Sequence, residues 1–217
     1  MTAAGSANLA LKWAASVIPD SENREKDDFY PTPPEGTRAL LSVEKFVGNI
    51  WEPACGDGAM SKVLIDAGYA VLSTDLVDRG YGTARVDFLM EHVHTADNII
   101  TNPPFKLAEE FAAQALAHSR RKVAMLARLA WLEGERRRIM FQSTPLARVW
   151  VFSRRLNINR SGDGILYGGQ GGLIAFAWYV WEHGHQGPPT LGWLRHPGPR
   201  RHKRSPIHSS EGQPLFP

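Results

Sequence analysis

The sequence predicts an α/β domain, a mainly parallel sheet with helices on both faces. Short apolar runs of strand length recur at residues 49–52, 70–74, 97–101, 122–129, 148–152 and 173–180. Between them, residues 59–67, 106–118 and 133–141 carry apolar side chains at three- and four-residue spacing, the period of a helix with one buried face. Strands alternating with helices of this length need crossover connections, which run the strands parallel and lay the helices over the sheet.

The elements follow in chain order. Residues 1–27 mix small and charged types and read as a lead-in, with one helix expected at 8–17 and a polar stretch at 20–28. The domain proper spans 28–184, and the short run Ala84-Arg85-Val86 adds a seventh strand. Only a Gly-rich stretch at 161–172 separates the last two strands, with no helical pattern, so they can pair antiparallel. From residue 185 the composition turns to Pro, Gly, His and Arg, with a basic cluster at Arg200, Arg201, Lys203 and Arg204, and a flexible tail is expected over 185–217.

Composition narrows the class. The chain has 217 residues with 25 Lys+Arg against 22 Asp+Glu, a balance that permits a polyanionic partner without demanding one. A single cysteine, Cys55, excludes a disulfide framework and a multi-thiolate zinc site, and fits a reducing cytoplasm. The Ala-rich start at 3–17 is interrupted by Lys12 and is about half a membrane span in length, so a soluble, cytoplasmic protein without membrane segments is expected. His183 and His185 lack further ligands in a motif, and no metal is assigned.

Three motifs carry chemistry. Glu52-Pro53-Ala54-Cys55-Gly56-Asp57-Gly58 ends a strand and opens a helix, with Gly56 and Gly58 allowing a tight bend near a nucleotide-type ligand. Position 61 is Ser61, so the dinucleotide fingerprint is incomplete. Asp75 ends the next strand about 20 residues on, where a carboxylate can accept from ribose hydroxyls, and Asp87 follows the next run within reach of an adenine amino group. Most specific is Asn102-Pro103-Pro104-Phe105 after an apolar strand. Two prolines stiffen the backbone, so Asn102 Oδ1 and the Pro103 carbonyl can converge on one external amino group while Phe105 offers a face for a planar base.

These motifs, in this order and spacing, resemble the S-adenosylmethionine-dependent amino methyltransferases, and among them the N6-adenine DNA methyltransferases. The likeness covers about residues 28–180. It implies a Rossmann-like class I methyltransferase, with a seven-stranded sheet whose last strand is antiparallel. It also implies S-adenosylmethionine contacts at Tyr30, Thr32, Glu52, Pro53, Ala54, Gly56, Gly58, Asp75, Leu76, Asp87, Phe88 and Asn102. Thr32 would lie near the methionine carboxylate, Asp75 at ribose and Asp87 at adenine. Catalysis would rest on Asn102, Pro103, Pro104 and Phe105. Cytosine-C5 chemistry needs a thiolate at the catalytic motif, whereas Cys55 lies in the glycine turn and reads as a packing residue.

A duplex substrate would require base flipping, at a cost of a few kcal/mol. No separate recognition domain is legible, so DNA or RNA contacts are expected from the loop Arg154 to Gly172 and from the basic tail. Arg120-Arg121-Lys122 and Arg136-Arg137-Arg138 are expected at helix ends or on a helix face as solvated groups, and Trp178, Tyr179 and Trp181 in the core. Methylation of RNA, methylation of a protein glutamine, and a non-catalytic binding module remain alternatives.

Overall fold

The computed structural model describes residues 29–156, 158 and 174–195. The lead-in with its expected helix, most of the loop from Arg154 to Gly172, and the basic cluster at 200–204 lie outside the described residues.

Helix α1 (Pro34–Val43) comes first, in a stretch to which the sequence assigned no element. Pro34 occupies its first turn, where a missing N–H has no intrahelical partner to lose, and the helix buries Ala39 and Leu40. The chain continues through β1 (Ile50–Glu52), α2 (Ala59–Asp66), β2 (Val71–Asp75), β3 (Thr83–Ala84), β4 (Ala96–Thr101), α3 (Ala108–His118), β5 (Ser119–Arg128), α4 (Glu135–Ser143), β6 (Leu146–Phe152), β7 (Phe176–Glu182) and β8 (Thr190–Leu194). None of the described helices is long and apolar enough to cross a membrane.

Among the described residues eight strands form one sheet in the order β3-β2-β1-β4-β5-β7-β6-β8. All neighbours run parallel except β7, which lies antiparallel between β5 and β6. Alternate residues supply two cores, one on each face: Trp51, Ile99, Met125 and Tyr179 in one, Ile50, Ile100, Leu126 and Trp178 in the other. Trp178, Tyr179 and Trp181 of β7 are fully buried, and their polar ends are satisfied: Trp178 Nε1 donates to the Gly36 carbonyl, Trp181 Nε1 to Thr144 and the Tyr179 hydroxyl to the Arg128 carbonyl.

Several expectations are corrected. The sheet has eight strands instead of seven, and the antiparallel strand is not the last in the chain, because β8 follows it and pairs parallel with β6. The expected flexible tail from 185 therefore begins inside ordered structure. β8 escaped notice because it is short, follows two prolines and exposes Leu191 and Trp193, so it has no apolar period. Its stabilising contacts are tertiary: Leu194 is fully buried, its carbonyl accepts from Ser153 N and Oγ, and Gly192 lies so close to Trp150 that a Cβ would come within 2.2 Å of the ring. A chain ended after Trp193 should melt several degrees below one ended after Arg195, since a buried Leu contributes about 2 kcal/mol. Equal melting temperatures for the two would show that Leu194 adds nothing to stability.

A further correction concerns Arg120 and Arg121, which are exposed as expected but lie in β5, whose start at Ser119 directly follows α3, instead of at a helix end. Lys122 joins a network in which Arg148, Lys122 and Trp150 all reach the buried Glu44 at the end of α1. Burial would raise the Glu44 carboxyl, but the hydrogen bonds from Arg148, Lys122 and Trp150 outweigh it and hold it below the usual range. Arg136, Arg137 and Arg138 do lie on a helix, α4.

Candidate functional site

The parallel strands β1, β2, β4 and β5 end at one edge of the sheet, and the order reverses between β1 and β4, the switch point where open α/β sheets form a crevice. The motif residues collect there.

The turn after β1 is shaped by two glycines in left-handed conformation, Gly56 at φ 56° and Gly58 at φ 79°. A Cβ at Gly56 would come 2.2 Å from the Phe29 ring, and one at Gly58 2.5 Å from Tyr81. Aromatic rings from neighbouring segments thus pack onto the turn. Asp75, nearly buried at the end of β2, fastens it by accepting from Gly56 N and Val77 N, each at 2.8 Å. Ser61, standing where the dinucleotide fingerprint would have its third glycine, donates to Glu52 and lies 2.6 Å from Ser73 Oγ. Burial pushes the Glu52 carboxyl up to about 8, so it is largely protonated at neutral pH. Burial, reinforced by Glu52 and Asp75, likewise pushes the Cys55 thiol up to about 12, leaving it a packing group.

Asp87 caps the short helical turn Phe88–Met90 by accepting from Leu89 N, and Phe88 packs edge-on against Trp51 with ring centroids 5.1 Å apart. Asn102 follows β4. Its Nδ2 donates to the Tyr30 carbonyl at 3.1 Å, which fixes the amide orientation, and its Oδ1 is buried without a partner among the described residues. Pro103 is buried beside it. Phe105 opens a helical turn and has three neighbours: Tyr30 stacked at 6.0 Å, Phe176 at 5.8 Å and the Arg128 guanidinium 4.7 Å from the ring centre.

A cleft with about 980 Å3 of empty space, open mouth included, runs past these groups. Tyr30, Thr32, Glu52, Pro53, Ala54, Asp75, Leu76, Asp87, Phe88, Asn102 and Pro104 line it. Gly56, Gly58 and Pro103 stand behind the lining, and Phe105 faces a second cleft. The sequence reading missed Met60, Val77, Leu89 and Phe111 as lining residues; Phe111 was visible as part of an apolar helix face, which reads equally well as core. It also missed Arg128, whose one signal was a charge near the end of the apolar run 122–129. Arg154 and Arg155 follow β6 at the same edge and are exposed, and the rest of their loop, apart from Leu156 and Ile158, lies outside the described residues. His183 bonds Ser119, and no three His, Cys, Asp or Glu side chains converge as metal ligands among the described residues.

No protein-family model matches the chain, and no curated protein matches it. Solved structures do. A modification subunit assigned to a type I restriction enzyme of Vibrio vulnificus YJ016 superposes with a TM-score of 0.54 at 14% identity, over 91% of this chain and 52% of that one. The chain thus spans about half of that subunit's length. A protein of Pyrococcus horikoshii assigned as an RNA methyltransferase gives a TM-score of 0.56 at 16% identity, covering 80% of this chain and 97% of that one. One from Listeria monocytogenes assigned as a class I S-adenosylmethionine-dependent methyltransferase gives 0.53 at 14%, covering 86% and 71%. Sheet order and superposition together define the class I methyltransferase fold.

Proposed function

We propose that this chain is an S-adenosylmethionine-dependent methyltransferase acting on the exocyclic N6 of adenine in DNA. The observation that carries the reading is Asn102. With its amide NH2 engaged by the Tyr30 carbonyl, Oδ1 is a buried acceptor without a donor among the described residues. Such an atom costs about 1–3 kcal/mol, and a ligand that brings a donor relieves it. An amino group with two hydrogens suits the position, one for Oδ1 and one for the Pro103 carbonyl.

The cleft fits the cofactor in chemistry as well as place. Asp75 and Asp87 offer carboxylates for ribose and adenine, Leu76 and Phe88 offer apolar contacts for the ring, and Tyr30 and Thr32 close the side beside Asn102. When bound, S-adenosylmethionine supplies a methyl group on a sulfonium. The chain's own part is to hold the acceptor amine. Its lone pair is delocalised into the base, and hydrogen bonds to Asn102 Oδ1 and the Pro103 carbonyl draw it towards a tetrahedral, nucleophilic geometry. Glu52 ties β1 to α2 through its hydrogen bond with Ser61.

The likeness to a restriction-modification subunit supports DNA, and the likeness to the Pyrococcus protein supports RNA as the second reading. Arg154 and Arg155, exposed after β6 at the same edge of the sheet, favour a polyanion over a peptide glutamine. Labelled-methyl transfer from S-adenosylmethionine to unmethylated DNA, total RNA and cell protein, followed by nucleoside analysis, should give N6-methyladenine in DNA. Label confined to RNA or protein, or none at all, would overturn the reading.

We assign Phe105 to stack the target base, which would take the place of the Tyr30 ring now stacked on it. Phe105→Tyr should keep most activity, whereas Phe105→Ala should lose about 1–3 kcal/mol of stacking, a drop of roughly ten- to a hundredfold in kcat/KM. Equal rates would remove the assignment.

A further inference from the structure

A second cleft opens beside the catalytic motif, with Phe105, Arg128, Trp131 and Arg137 among its walls and no acidic residue in its lining. Arg128 is the unusual member. It is half-buried at the end of β5, its guanidinium lies over the Phe105 ring, and its Nε is buried without a hydrogen-bond acceptor among the described residues. Arg137 reaches the same cleft from α4; its Nε donates to the Glu133 carbonyl, and its guanidinium pairs loosely, at 3.8 Å, with Glu109, a carboxylate outside the lining that Arg136 holds more closely at 2.7 Å. Two guanidinium groups facing one aromatic-walled cleft without a carboxylate in its lining make a site for an anion. Their planar forks match the oxygens of a phosphate.

We propose that this cleft binds a phosphodiester of the substrate strand close to the target base, with Arg128 and Arg137 as its ligands and Arg128 fixing that phosphate relative to Phe105. The inference rests on the reading of the chain as a nucleic-acid methyltransferase and adds where the strand is held. Contact between Arg128 and Phe105 couples the two tasks, because the cation that meets the phosphate also contacts the ring assigned to the base. The basic groups that the sequence brought forward, in the loop from Arg154 and in the tail, are not needed for this contact.

The test is binding of a labelled single-stranded deoxyoligonucleotide by anisotropy across a range of salt concentrations, using the full chain. Arg128→Gln should weaken binding about tenfold near 0.1 M salt and lower the slope of log affinity against log salt by about 0.7, the loss of one phosphate contact. Arg137→Gln should produce a similar step and guards against a folding defect at position 128. Arg138→Gln, on the same helix but outside the cleft lining and paired with Glu135 instead of Glu109, should change neither quantity. Unchanged slopes in Arg128→Gln and Arg137→Gln proteins that melt like the wild type would overturn the proposal. So would an equal loss in Arg138→Gln, or a wild type that does not bind the strand. If the slopes shift as expected but no methyl group is transferred to nucleic acid, the phosphate site stands and the methyltransferase reading fails.

Discussion

Replacing Asn102 with alanine should reduce methyl transfer to background while leaving S-adenosylmethionine affinity within about twofold. The side chain lies where β4 delivers it to the cleft, with one end bonded to Tyr30 and the other end unpartnered. Removing it takes away the acceptor proposed to activate the amine, an interaction made most strongly in the transition state. The loss should therefore appear in kcat more than in KM. Hydrogen bonds of this kind contribute a factor of about a hundred to a thousand each. Single-turnover rates and calorimetry on the same preparation check the prediction. A parallel fall in cofactor affinity would mean that Asn102 mainly anchors the Tyr30 segment, since that bond is lost too.

Asp75→Ala should weaken S-adenosylmethionine at least tenfold, and the structure adds a second effect. A carboxylate accepting from ribose hydroxyls is worth about 1.5–3 kcal/mol, which alone gives a tenfold change or more. The same carboxylate also accepts from Gly56 N and Val77 N, so alanine leaves two amides of the turn without their partner and should lower the melting temperature as well. Asp75→Asn separates the two roles. It keeps an acceptor for one amide and should recover part of the stability while affinity remains low. Calorimetry showing wild-type affinity in a folded Asp75→Ala protein would remove Asp75 from the cofactor site.

How much was legible in the sequence depends on how local the cause is. The strands and helices from β1 to β7 were readable because apolar period is set over a few residues, and β7 was expected to run antiparallel because no helix precedes it. Glu52 to Gly58 and Asn102 to Phe105 were readable for the same reason, since a turn or a Pro-Pro step needs its residues adjacent in the chain. Helix α1 was hidden under prolines that suggest a turn, and it is held by packing of Leu40 and by the reach of Arg148, Lys122 and Trp150 to Glu44.

What the sequence by itself determined is thus the element types from β1 to β7, the mainly parallel sheet, and the motif residues brought to one of its edges. What only the tertiary structure decided are facts joining residues far apart in the chain. They include the tie between Asn102 and Tyr30 that leaves Oδ1 open, the Phe29 ring over Gly56, the pairing of β8 with β6, and Arg128 over Phe105. The physical reason is range: propensity and period act between neighbours, whereas burial, hydrogen-bond satisfaction and charge environment exist only once distant segments meet.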